Sequence, residues 1–454
     1  MNMSDRPVGV PPTSNKVPPR SISRHEAFWF WFKLGFLSFG GPAGQIAMMH
    51  SELVEKRKWI SNKRFLHALN FCMVLPGPEA QQLATYLGWL MHRTWGGIVA
   101  GLLFILPSLV LIIILSWIYM VFGETKIVSG LFYGIKPAVT VLVIQASYRI
   151  GSRTLNNPWL WAIAVASFLA LFIFGLPFPL IILVAALIGW LGSKKSPECF
   201  SSKHASVSSN APAITAIIDD HTPQATHTRF SQQRLVVVLS AAAVLWTLPM
   251  LAMISMWGWT HTITQMGWFF SKAALLTFGG AYAVLPYVYQ AAVETFSWLT
   301  PTQMIDGLAL GETTPGPLIM IVAFVGFVGA FTQSALGPDL AVLSGVVAAL
   351  IVTWFTFLPS FIFILAGAPF IESTHERVAF TAALTGVTAA VVGVIANLAL
   401  FFAMHVGWPT GWSGGIDLKA AGIAAVAAAA IFIYKRSAIE TIAGSAILGY
   451  LSAM

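Results

Sequence analysis

The same set of helix-breaking residues occurs twice in this chain at one fixed spacing. Lys33 precedes Phe39-Gly40-Gly41, and Trp59 and Pro76-Gly77-Pro78 follow. Adding 239 to each number gives Lys272, Phe278-Gly279-Gly280, Trp298 and Pro315-Gly316-Pro317. These glycines and prolines fall inside long apolar runs, where proline removes a backbone donor and glycine frees the dihedrals. The echo continues at a spacing of 252: Pro107-Ser108 matches Pro359-Ser360, Gly134 matches Gly386, and Ala138-Val139 match Ala390-Val391. An insertion of 13 residues near 333–345 accounts for the change from 239 to 252. The chain reads as two related halves, each built from interrupted helices, and such repeats in an apolar protein point to a transporter.

Composition fixes the solvent of those helices. Hydrophobic residues make up 57% and charged residues 9% of the 454 positions, where soluble chains carry about 25% charged residues. Runs of about 20 apolar residues are long enough to cross a hydrocarbon core as helices. Inside a bilayer only helices and closed barrels satisfy their own backbone, and continuous rather than alternating apolar runs select helices. The expected fold is an all-α polytopic membrane protein of about 13 transmembrane segments, in two homologous repeats with interrupted helices. The expected spans lie near 27–47, 65–90, 98–122, 128–148, 158–173, 175–192, 235–257, 262–290, 304–332, 339–366, 378–403, 417–434 and 438–453.

The domain expectation follows the same pattern. Residues 1–24, rich in Pro, Ser and basic side chains, read as a disordered cytoplasmic tail with no cleaved leader. Residues 25–192 form the first repeat, 193–234 a polar flexible linker, 235–257 an extra transmembrane helix and 258–454 the second repeat. Six spans plus the extra helix separate the two signatures, and that parity implies halves of inverted topology. Lys and Arg placement puts the N-terminus inside. One loop disturbs this count. Residues 50–64 hold Lys56, Arg57, Lys58, Lys63 and Arg64, which a full first crossing places outside, while the matching 291–303 contains no Lys or Arg. A re-entrant first segment returns that loop to the cytoplasm but disturbs parity downstream, so the sequence leaves both topologies open.

The formal charge of +8 sits in the tail, the loops and the segment ends, which argues for cytoplasmic flanks and against nucleic acid as a partner. Cys72 lies in an apolar run and Cys199 in the linker, so no bridge between them is expected. His204, Asp219, Asp220, His221 and His227 show no recognisable ligand spacing, and no metal site is assigned. No HExxH, Walker or G-x-S-x-G motif is present; catalytic residues and cofactors are expected to be none.

The breaks themselves are the candidate substrate site. Pro76-Gly77-Pro78 and Pro315-Gly316-Pro317 split each helix into halves, and a half-helix N-terminus offers free N–H groups and partial positive charge to an anion. Gln81 and Gln82 after the first break, and Thr313 and Thr314 before the second, add neutral polar groups. Phe39-Gly40-Gly41 and Phe278-Gly279-Gly280 form a second pair of breaks, or else close-packing points of small residues. Lys33 and Lys272 each lie seven residues before the first glycine of that motif and share its helix face. Two readings of these lysines stand, attraction of an anion and snorkelling to the interface. Glu79 and Glu312 flank the two Pro-Gly-Pro motifs at positions that are not repeat-equivalent, and Asp306 lies near a span start. Such carboxylates either carry a coupling proton or serve as structural acceptors for free N–H groups.

These residues resemble the chromate ion transporter family in its long, two-domain form. The resemblance rests on Phe36-Leu37-Ser38-Phe39-Gly40-Gly41-Pro42, Trp59-Ile60, Leu75-Pro76-Gly77-Pro78-Glu79-Ala80-Gln81-Gln82 and Leu106-Pro107-Ser108. In the second half Leu276-Thr277-Phe278-Gly279-Gly280, Gly311-Glu312-Thr313-Thr314-Pro315-Gly316-Pro317 and Gly386-Val387 continue it. It implies gradient-driven efflux of chromate across the inner membrane of a bacterium, conferring resistance, by two domains of opposed topology. The expected partners are chromate or a sulfate-like oxyanion and the lipid bilayer, with a homodimer left open. Transport of sulfate, an equally tetrahedral dianion, and an anion channel are the alternatives.

Overall fold

The computed structural model describes residues 22–39, 41–195, 216–218, 230–278, 280–371, 378–409, 411 and 415–453. Among these are sixteen α-helices and no strand. In the first half they are α1 (Arg24–Leu37), α2 (Gly41–His50), α3 (Asn62–Cys72), α4 (Glu79–Phe122), α5 (Lys126–Thr154), α6 (Pro158–Phe172) and α7 (Phe178–Lys195). Helix α8 (Gln232–Trp257) follows the linker. The second half contains α9 (Thr262–Leu275), α10 (Ala281–Tyr289), α11 (Pro301–Thr313), α12 (Ile321–Thr332), α13 (Ala341–Ile371), α14 (Val378–Gly407), α15 (Leu418–Ala428) and α16 (Ala438–Ala453). Five helical stretches are long and apolar enough to cross a membrane: Glu79–Phe122, Lys126–Thr154, Gln232–Trp257, Pro338–Pro369 and Ala382–Gly407. Shorter apolar helices accompany them.

The apolar runs near 27–47, 65–90, 262–290 and 304–332 are each divided in two, at the breaks the glycines and prolines mark. The two parts fold back on one another. Arg57, beyond the end of α2, lies 3.6 Å from Glu26 at the start of α1 and stacks over Phe30 and Trp59 at 5.1 and 4.9 Å. Phe30 and Trp59 are in ring contact at 5.4 Å, and their repeat partners Phe269 and Trp298 are in contact at 5.9 Å. Helix α4 is itself two arms. The backbone leaves helical geometry at His92 (φ −134°, ψ 31°) and Arg93 (φ 60°, ψ −157°). The arms 79–91 and 94–122 then press together through small residues: a Cβ on Gly88 would lie 2.4 Å from the Gly96 carbonyl oxygen. The turn also docks just ahead of α1, with the His92 ring 2.9 Å from the Ile22 carbonyl. In the second half the His261 ring meets the Ala335 carbonyl at 2.9 Å in the same manner.

These contacts gather the segment ends into two groups, joined by α8. Arg234 near its start reaches Thr94 at 3.3 Å, and Trp257 at its end stacks on His261. Its 26 residues span about 39 Å at the helical rise. The first group also holds part of the linker. Ile217 and Ile218 donate to the Lys58 and Trp59 carbonyls at 3.0 and 2.9 Å, and Ser61 donates to Ile218 at 3.0 Å. Thus 216–218, within the stretch read as a flexible linker, is paired with the basic loop. In that loop the Lys56 ammonium hydrogen-bonds Glu52 at 2.6 Å and holds its carboxyl below the usual carboxylate range. Residues 1–21 of the tail, Cys199 and the linker residues His204, Asp219, Asp220, His221 and His227 lie outside the described residues.

The two repeats exchange helices. From the first half, α5 packs on α15 and α16 of the second; from the second, α14 packs on α6 and α7 of the first. The crossings run through glycine, which permits close backbone approach. A Cβ on Gly134 would lie 1.9 Å from the Ser445 carbonyl oxygen, and a Cβ on its repeat partner Gly386 2.4 Å from that of Ala185. Gly134→Leu is therefore expected to lower the thermal midpoint of the detergent-solubilised protein, since overpacking costs about 1–3 kcal/mol or more. Gly422→Leu, where nothing lies within 4 Å, is the control. Equal midpoints for the two variants would contradict the crossing.

Candidate functional site

The four breaks meet at the centre of the molecule, and they do so reciprocally. The Gly77 N–H donates to the Thr277 carbonyl at 2.7 Å, and the Gly316 N–H donates to the Ser38 carbonyl at 2.8 Å. Gly77 and Gly316 are repeat partners, and so are Ser38 and Thr277. Each Pro-Gly-Pro turn is thus bonded to the residue before the Phe-Gly-Gly motif of the opposite half. Local chemistry builds the turns the same way twice. Gly77 and Gly316 have φ of +130° and +102°, and Gly41 and Gly280 have +69° and +93°, a region that favours glycine. Ser38 and Thr277 turn their hydroxyls back to the carbonyls of Leu34 and Ala273, while Phe39 and Phe278 close short turns onto Leu37 and Leu276.

Four helical segments begin at this centre: α2, the first arm of α4, α10, and α12 with the short turn that precedes it (Leu318–Met320). Their N-terminal N–H groups and macrodipoles carry positive potential, so the arrangement can hold an anion between the halves. Gln81 and Gln82 are fully buried in the first turn of α4. The Gln81 amide donates to the Thr85 hydroxyl at 3.0 Å and that of Gln82 to the Pro76 carbonyl at 2.8 Å. Glu79, half-buried, points across the interface, its Oε1 4.0 Å from where a Cβ on Gly280 would stand. Glu312 is buried and accepts from the Tyr282 hydroxyl near the start of α10.

Other residues marked in the sequence lie differently. Thr313 and Thr314 are at the break, but their hydroxyls donate to carbonyls of α11 itself, at 3.1 and 3.2 Å. Pro76, Pro78, Pro315 and Pro317 form the turn walls, with Phe39 and Phe278 half-buried beside them. Lys33 and Lys272 are exposed, and the Lys272 ammonium sits over the Trp268 ring at 5.6 Å. The structure does not bring either lysine into the buried centre. Gly40 and Gly279 lie outside the described residues.

Gln45 and Lys136 are additions to the residues read from the sequence, whereas Asp306, Ser108 and Ser360 were visible there without their neighbours. Buried Gln45 donates to the Ser38 carbonyl at 3.2 Å and to the Gly316 carbonyl at 2.5 Å, bridging the two halves; its signal is an amide side chain just past the first Phe-Gly-Gly-Pro. Asp306 is buried and bound from the first half, by Tyr119 at 2.8 Å and Lys136 at 3.7 Å. The signal for Lys136 is a lone lysine inside the 128–148 run. Ser108 and Ser360 lie against the Pro-Gly-Pro glycines of the opposite halves. A Cβ on Gly316 would be 2.6 Å from the Ser108 Cβ, and one on Gly77 would be 2.3 Å from the Ser360 hydroxyl.

Comparison with known proteins agrees with this doubled architecture. A family model described as chromate transporter matches residues 25–190 and again 264–450. A chromate transport protein of Pseudomonas aeruginosa is 33% identical over 388 residues, 84% of this chain and 82% of that protein. One of Cupriavidus metallidurans is 27% identical over 454 residues, 100% of this chain and 98% of its own. An uncharacterized transporter of Bacillus subtilis is 28% identical over 167 residues, which is 36% of this chain but 94% of that protein. No solved structure matches the chain.

Proposed function

We propose that this chain, which belongs to the chromate transporter family, is a secondary transporter that exports chromate across the bacterial inner membrane and so gives chromate resistance. The observation that carries the reading is the reciprocal pair of bonds Gly77 to Thr277 and Gly316 to Ser38. It sets the breaks of both halves around one point and directs four half-helix N-termini toward it. Backbone N–H groups suit a tetrahedral dianion, which only accepts hydrogen bonds. Gly41, Gly77, Gly280 and Gly316 shape the cradle, Gln81 and Gln82 add amide groups, and Glu79 handles the coupling proton. Glu312, held by Tyr282, fixes the start of α10. Lys33 and Lys272, on exposed faces, contribute positive potential at the approaches rather than direct ligation.

The topology within this proposal is inverted. The first group of ends holds the basic loop and the linker, and Lys and Arg enrichment assigns it to the cytoplasm. The runs near 27–47 and 65–90 are then re-entrant hairpins that enter and leave on that side, and 262–290 and 304–332 are hairpins from the other. Helix α8, joining the two groups of ends, supports the inversion. In a variant without native cysteines, an impermeant maleimide applied to intact cells is expected to label Thr302→Cys and to spare Lys63→Cys. Labelling of both from outside would overturn the inverted arrangement. For the function itself, everted vesicles carrying the protein are expected to accumulate chromate saturably, faster with an imposed proton gradient and inhibited by sulfate. Absence of saturable chromate accumulation would remove the reading.

A further inference from the structure

We propose that Ser108 and Ser360 are a repeat-related pair of hydroxyl ligands for the transported oxyanion; this rests on the transport reading above. Both are fully buried, and among the described residues neither hydroxyl has a hydrogen-bond partner. That is unusual for a serine inside a helix, which ordinarily bonds the carbonyl four residues back. Ser116, Ser271 and Ser344 all do so here. A buried hydroxyl left unmade is costly unless something else meets it.

Their positions say what that is. Each serine follows a helix-interior proline, Pro107 or Pro359, in the long helix after the Pro-Gly-Pro hairpin of its own half. Each faces the glycine of the other half's turn: the Ser108 hydroxyl lies 3.1 Å from the Cβ position of Gly316, and the Ser360 hydroxyl 2.3 Å from that of Gly77. Those are the same two glycines whose N–H groups bond across the halves. The molecule therefore holds two donor pairs, Ser108 with Gly316 and Ser360 with Gly77, related by the repeat and each shared between halves. When the halves part, each pair turns a hydroxyl and an N–H toward the same space. Neutral donors arranged this way fit a fully deprotonated oxyanion, which only accepts hydrogen bonds.

The test is chromate uptake into everted vesicles carrying the full-length protein, Ser108→Ala, Ser360→Ala or the double variant, with sulfate as competitor. A hydrogen bond to a charged group is worth enough that each alanine is expected to raise the half-saturating chromate concentration about tenfold, and the pair about 100-fold. Sulfate inhibition weakens in parallel. Maximal rate stays within about twofold and the thermal midpoint does not fall, because the hydroxyls hold nothing in the protein itself. Unchanged half-saturation in the double variant would overturn the proposal, as would a lowered midpoint or a loss confined to maximal rate. If the unmodified protein shows no saturable flux of chromate, the transport reading fails and the proposal with it; if it does and the variants match it, only the proposal fails.

Discussion

Gly316→Ala is expected to reduce chromate flux about 100-fold, from backbone strain and a lost cross-half hydrogen bond acting together. The glycine sits at φ +102°, where an alanine is strained, and its added Cβ would come within 2.6 Å of the Ser108 Cβ. Relief requires the second Pro-Gly-Pro turn to withdraw, which breaks both the bond to Ser38 and the bond from Gln45 to the Gly316 carbonyl. Gly77→Ala is expected to act alike through the symmetric contacts, since its Cβ would meet the Ser360 hydroxyl at 2.3 Å and the Gln82 amide at 2.6 Å. Gly175→Ala isolates strain from position. It has φ +57° and nothing within 4 Å, so its cost is local and flux should remain close to that of the unmodified protein. Vesicle uptake with protein amount held equal decides the matter; near-normal flux in Gly316→Ala would show that the turn does not form the site.

How much of this was legible in the residues follows from the range of each signal. The breaks were, because glycine and proline act on their own backbone and the act repeats at matched positions. The turning back of the broken helices was not. An apolar run of the length of 65–90 reads the same whether it crosses or returns, and only the basic 50–64 loop hinted at the return. The fold at His92 and Arg93 was also hidden, since nothing about an arginine announces a positive φ. Gly134 and Gly386 were visible as a repeat, but that they lock α5 and α14 into opposite halves depends on distant helices with no local trace. Ser108 and Ser360 were seen as matched residues, and their lack of an intrahelical partner is a property of the packed chain. Lys33 and Lys272 illustrate the converse: a matched pair whose spacing to the glycines was legible, while the outward orientation of both was not.

Glu79→Gln is expected to abolish stimulation of chromate flux by a proton gradient while leaving saturable chromate binding in place. Glu79 opens the first arm of α4 and directs its carboxylate at the N-terminus of α10, with Oε1 4.0 Å from the Cβ position of Gly280. A carboxylate at a helix N-terminus is stabilised by about 0.3–1 kcal/mol at the surface and up to about 2 kcal/mol when partly buried. In the proposed site it stands beside the place of an oxyanion. An ionised side chain there would compete with the oxyanion for the positive end of α10, and protonation would remove the competitor. The charge state of Glu79 thereby sets whether the N–H groups at that end are open to chromate. Glutamine keeps the size of the side chain but no longer changes charge, so gradient-stimulated uptake should fall at least about tenfold, on the scale of interactions with charged groups. Glu79→Asp, which can still ionise, is expected to restore part of it. Glu312→Gln provides the contrast: Glu312 is tied to the Tyr282 hydroxyl, so its loss should loosen α10 and lower the thermal midpoint without removing the response to the gradient. Gradient stimulation that survives in Glu79→Gln and disappears in Glu312→Gln would reverse the two assignments.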